Sequence, residues 1–200
     1  MSNLESKKLT VMLPNGDGLL VPIGSNIQDV AYSIGPGLGK AAIAGLIDGE
    51  LFDLNHVVSN NNKVSIITEK SDEYVQILRH SAAHIFAQAL SRLYPNVKLA
   101  IGPAIENGFY YDFSGAEITK ESLNEIEKEM QKIIKSDYKI SRETFSREEA
   151  ENFYLSNPFK TDILKNEASN SDVVSFYIQD DWKDLCKGPH VSSTGKVKAV

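Results

Sequence analysis

Residues 9–34 read LTVMLPNGDGLLVPIGSNIQDVAYSI, and the order of patterns within them sets the fold of the first part of the chain. LTVML and LLVPI are short runs of strand-forming residues. PNGDG between them holds Asn-Gly and Asp-Gly pairs, which tolerate the positive φ of a tight turn, so the stretch predicts an antiparallel hairpin. After Ser25 the period changes. Ile27, Val30, Ala31 and Ile34 recur at helical spacing, Ser25 and Gln28 have capping-box spacing, and Gly35-Pro36 ends the helix. Further on, AAIAGLIDGELFDL predicts a strand pair about Asp48-Gly49, and KVSIIT at Lys63–Thr68 a last strand. Hairpin, helix, then strands describe a small α+β roll in which the helix covers one face of a mixed sheet.

A polar segment near Glu69 to Asp72 predicts a domain boundary, giving units of 1–69 and 70–200. The second unit opens with the helical stretch YVQILRHSAAHIFAQALSRLYP, which Pro95 ends. AIGPAIENGFYYDF follows, with turns at Gly102-Pro103 and Asn107-Gly108 around strand-like aromatic residues. Leu123, Ile126, Met130 and Ile133 form the apolar stripe of an amphipathic helix, and Ser146 with Glu149 caps a shorter one in FSREEAENFY. The remainder, VVSFYIQDDWKDLCKGPHVSSTGKVKAV, reads as strands and loops, with a strand still running at Val200.

The chain has 200 residues, 42% of them hydrophobic, enough for one ordinary core or two small ones. A formal charge of −6 argues against broad phosphate neutralisation as a way of holding nucleic acid, so such a partner needs local contacts. One cysteine, Cys186, precludes an internal disulfide and fits a reducing, cytoplasmic setting. No apolar run suits a membrane span or a secretory leader.

Two of the four histidines, His80 and His84, stand four apart on a predicted helix, where neighbouring turns let them share one ion or substrate. On a helical wheel they lie away from Leu78, Ala82, Ile85, Phe86, Ala89 and Leu93, beside the small residues Ala83, Ala87 and Ser91, which suits close approach by another segment or a ligand. Cys186 and His190 repeat the spacing across Gly188-Pro189, which predicts a turn. Three imidazoles and a thiolate are a chemically sensible tetrahedral zinc set, and from residue types alone zinc leads.

RHSAAHIFAQAL, KLAIGPAIENGFYYDF and DLCKGPHV together resemble the N-terminal editing region of the threonyl-tRNA synthetase family, and the segment from LTVMLPNGDG to AAIAGLIDGEL resembles its ubiquitin-like TGS domain, a β-grasp fold. The resemblance implies an α+β editing domain after the TGS domain, truncated at its end, in an N-terminal fragment without the ligase and anticodon-binding domains. It implies hydrolysis of seryl-tRNA(Thr) by an activated water, with His80, Lys160 and Cys186 catalytic and His84, Asp184 and His190 binding substrate. His80 and Lys160 would position or activate water and the ribose hydroxyl, Cys186 and His190 would shape the serine pocket, Asp184 would orient a neighbour or the amino group, and His84 would hold the adenosine end. The resemblance also implies editing without metal or other cofactor, His80, His84, Cys186 and His190 being the ligands if zinc is bound instead; ATP, magnesium and zinc belong to the missing ligase domain. The implied partner is the acceptor end of tRNA(Thr), and the implied parent a cytoplasmic homodimer. Lys187 stands where the family usually has arginine, which keeps the charge but loses the planar fork. The rival readings are a zinc-stabilised module and a module that docks RNA or a regulator.

Overall fold

The structure, a computed structural model, describes residues 7–167 and 172–198. These fall into two compact units: residues through Val75 with Gly188–His190, and Gln76–Lys187 with the described residues from Val191 onward. The expectation of a strand at Val200 lies outside the described residues.

In the first unit β1 (Lys8–Met12) and β2 (Gly18–Pro22) form the hairpin, paired from Lys8↔Pro22 to Met12↔Gly18. Helix α1 (Ile27–Ile34) follows, then a second short helix, α2 (Pro36–Ala41). Pro36 stops α1 as expected but also opens α2, because at the first helical position proline loses no hydrogen bond and already has a helical φ. Strands β3 (Ala44–Ile47), β4 (Glu50–Asp53) and β5 (Val64–Ile67) make an antiparallel sheet in the order β4-β3-β5. A parallel bridge, Met12↔Lys63, links β1 to the end of β5, and the result is a mixed α+β sheet of the β-grasp kind. Val11, Val21, Ile27, Val30, Ala31 and Val64 fill its core. Gly45 lets α1 settle onto β3: a Cβ there would come within 2.6 Å of Ile27 Cγ2. The cap differs from the expected Ser25–Gln28 box. Asn26 Oδ1 accepts from Asp29 N–H at 2.9 Å and Asp29 Oδ2 from Asn26 N–H at 3.0 Å, one residue later, while Gln28 donates instead to the carbonyl of Gly39.

The second unit is built on α3 (Tyr74–Leu93). Two small ladders follow, β6 (Lys98–Leu99) with β9 (Phe113–Ser114), enclosing β7 (Ala104–Ile105) with β8 (Gly108–Phe109). Next come α4 (Lys120–Ser136), β10 (Ile140–Ser146), α5 (Arg147–Phe153), α6 (Pro158–Glu167), β11 (Val173–Gln179) and β12 (Trp182–Leu185). β10-β11-β12 form an antiparallel sheet, with seven residue pairs from Ile140↔Gln179 to Ser146↔Val173. Successive side chains of β11 serve opposite faces: Phe176 packs with Ala150, Tyr154 and Leu164, and Tyr177 meets the ring of His84 on α3. The Ser146–Glu149 capping box of α5 is present, whereas Leu123, expected in the α4 stripe, is 51% exposed. No helix among the described residues is long and apolar enough to cross a membrane.

Candidate active site

Helix α3 is buried nearly all round, so the histidine face, off the main apolar stripe in the sequence pattern, is covered as well. What covers it is the β11–β12 hairpin. Trp182 Nε1 donates to Ser91 Oγ at 3.3 Å, Gln179 Nε2 to Gln88 Oε1 at 2.9 Å, and the Trp182 ring stands edge-on to His84 at 5.4 Å. Ala83 and Ala87, fully buried, permit this approach.

That packing brings the C-terminal end of β12 against α3. Cys186 is held by its N–H to the carbonyl of Ser175 at 3.0 Å and by the Ser175 hydroxyl, which donates back to the Cys186 carbonyl. Its Sγ lies 3.3 Å from His80 Nε2, and the rings of His80 and His84 meet edge-to-face at 5.4 Å. Within the second unit, ligand-capable atoms of His80, His84 and Cys186 all lie within 4.8 Å of one another. His84 and His190 are buried. The peptide bond between Gly188 and Pro189 is cis.

Beside this cluster stands a buried ion pair. Lys160 Nζ is 2.8 Å from both carboxylate oxygens of Asp184, each side chain being 4% exposed. Neither residue is a surface charge. Asp184 Oδ1 accepts from the Tyr154 hydroxyl at 2.6 Å and Leu185 N–H at 2.9 Å, while Oδ2 accepts from the Tyr111 hydroxyl at 3.1 Å. Burial first, and the adjacent carboxylate second, push both phenols well above their ordinary range, so both stay protonated donors. Sequence reasoning missed both tyrosines; nothing in GFYYDF or ENFY distinguishes a phenol that meets a carboxylate from one that packs by its ring. Gly102 makes room for Tyr111, since a Cβ at that position would collide with its ring.

The thiol–imidazole pair and the ion pair line one cavity of about 660 Å³, along with His84, Tyr111 and the apolar Ala100, Ile101 and Ile163. His190 is not among the residues that line it.

Two family models match the chain: the TGS domain over residues 9–68, and the threonyl and alanyl tRNA synthetase second additional domain over residues 174–200, which contains Asp184, Cys186 and His190. Among curated proteins, the threonine–tRNA ligase of Natronomonas pharaonis is 54% identical over 193 residues, 96% of this chain. This chain is similar, nearly end to end, to part of the threonine–tRNA ligases. The ligase of Haloquadratum walsbyi is also 54% identical, over 192 residues, and that of Pelobacter propionicus 45% over 194. The chain spans 30% of the length of each of these relatives.

For this threonine–tRNA ligase relative, His84 gives a pH signature. Burial, and then the charges of His80 and Lys160, hold its imidazole well below the usual histidine range. A histidine that titrates lower when folded binds fewer protons than when unfolded. Its contribution is intact above the unfolded value of about 6.5 and is lost as pH falls below it. Urea midpoints should decline from pH 7.5 to 5, with a limiting slope of about 1.4 kcal/mol per pH unit. His84→Asn should flatten the decline, and a flat wild-type profile would show that the folded chain accepts the proton.

Proposed function

We propose that the second unit is an aminoacyl-ester hydrolase that removes serine from the 3′ end of tRNA(Thr), acting within a cytoplasmic threonine–tRNA ligase. The carrying observation is the meeting of His80, Cys186, Lys160 and Asp184 on one cavity. Ester cleavage by water needs a base for the nucleophile, positive charge or donors for the oxyanion, and a proton for the leaving hydroxyl. His80 Nε2 takes the proton from water. The Lys160 ammonium, fixed by Asp184, faces the developing charge and gives a proton to the departing ribose oxygen, and the proton taken up by His80 returns to the lysine through water. Cys186 bounds the acyl end. His84, packed edge-on against His80 and Trp182, holds the catalytic ring and offers its remaining edge to the nucleoside.

A hydrolytic step is needed because serine lacks only a methyl group of threonine, a difference that a single binding step discriminates by about 1–3 kcal/mol. A second pocket sized for serine rejects the larger acyl group sterically. With seryl- and threonyl-tRNA(Thr) as substrates, the chain should release serine and leave threonine in place. Equal release of both, or of neither, would end this reading.

Zinc is the second reading, favoured by the compact donor set. Tetrahedral zinc holds nitrogen and sulfur ligands about 3.3–3.8 Å apart, so the donors of His80, His84 and Cys186, all in the second unit and within 4.8 Å of one another, fit after a small contraction. These three would hold the ion and leave a fourth position to a water, whose pKa the ion would lower. Metal analysis of protein purified without chelator separates the two readings, and stoichiometric zinc would displace the metal-free one.

A further inference from the structure

Tyr154, at the end of α5, is 6% exposed and stacks on Phe176 with ring centroids 5.6 Å apart and planes 15° from parallel. Its hydroxyl joins two groups of β12, donating to Asp184 Oδ1 at 2.6 Å and accepting from Leu185 N–H at 2.8 Å. The residue does not line the cavity that holds His80 and Cys186. It lines a second cavity, of about 440 Å³, and Lys160 and Asp184 border both. An ester bound in the first cavity is therefore reached by Lys160, while Tyr154 meets that lysine's carboxylate partner through its hydroxyl and lies with its ring centroid 5.9 Å from the ammonium.

A carboxylate turns easily about its last torsion, which is broad and roughly two-fold. Here three side-chain donors fix that rotation: Tyr111 on Oδ2, Tyr154 on Oδ1, and Lys160 against both. Without the Tyr154 hydroxyl, Oδ1 keeps the adjacent Leu185 N–H and the ammonium, and Lys160 moves with whatever rotation the carboxylate adopts. We infer that Tyr154 is a positioning residue for hydrolysis, its hydroxyl locking Asp184 so that the Lys160 ammonium is presented to the first cavity.

This rests on the hydrolase reading above, and the test separates the two. Tyr154→Phe keeps the ring stacked on Phe176 and removes only the hydroxyl. Under single-turnover and steady-state conditions with seryl-tRNA(Thr), kcat should fall about tenfold while KM stays within about twofold, because the loss concerns presentation of a charge and not substrate contact. In an Asp184→Ala background the same substitution should cost nothing further, since residues acting through one partner are not additive. If Tyr154→Phe does not fold, as judged by its urea transition, Tyr154→Met serves in its place. An unchanged kcat, a change confined to KM, or a full tenfold loss persisting without Asp184 would overturn the inference and leave the hydrolase intact. No hydrolysis by the unsubstituted chain would overturn both.

Discussion

His80→Ala should slow hydrolysis of seryl-tRNA(Thr) by about 10²–10⁴-fold, the range lost when a positioned general base is removed. His80 lines the 660 Å³ cavity with its Nε2 3.3 Å from the thiol, and its ring meets the edge of His84. The loss should fall on kcat, with KM little altered, because alanine at an interior helical position leaves α3 and the cavity walls in place. Single-turnover deacylation gives the chemical step directly. Cys186→Ala should also lower the rate sharply, through a cavity wall that no longer fits the acyl group. Rates unchanged in both variants would take this pair out of the mechanism.

Lys160→Ala should destabilise the chain by about 3–5 kcal/mol, the cost of leaving one member of a buried ion pair without its partner. Both side chains are 4% exposed, so solvent screening gives little relief. Asp184 would keep the Tyr111 and Tyr154 hydroxyls and Leu185 N–H, which places the expected loss toward the lower end of that range. Urea denaturation at neutral pH checks it, with the m-value constant so that the shift in midpoint reports stability. Combining Lys160→Met with Asp184→Asn removes the unpaired charge, keeps an acceptor for one phenol and offers the other phenol's oxygen an amide N–H. That double variant should regain at least half of the loss. Equal stability of the single and double variants would mean that water reaches Asp184 and replaces the ammonium.

What could be read in advance follows from the range of each interaction. The β1–β2 and β3–β4 hairpins were legible because Asn-Gly and Asp-Gly turns act over a few residues. The Ser146–Glu149 box was legible for the same reason, yet the similar spacing at Ser25–Gln28 misled by one position. There Ser25 N–H is already engaged with the Pro22 carbonyl, and Asn26 takes the extended conformation at the cap. Strand β10 escaped notice because Ile140 and Phe145, five residues apart, face opposite sides and give no alternating pattern; its pairing with β11 supplies the order. Helix α6 escaped because its burial runs against hydropathy: Lys160 is inside while Phe159 is 37% exposed. Leu123 erred in the opposite sense, an apolar residue at helical spacing left half in solvent.

Sequence by itself determined the two turn-closed hairpins, the helices α1, α3, α4 and α5, that a lone cysteine closes no internal disulfide, the net negative charge, and the two four-residue pairs, since each depends on neighbours along the chain or on composition alone. Only the tertiary structure decided that His80 meets Cys186 across 106 positions, that Lys160 is buried against Asp184, and that two tyrosines hold that carboxylate. The reason is energetic: a charge enters the interior only where a partner and donors converge on it, and that convergence is produced by the packing of α3, α5, α6 and the β11–β12 hairpin together.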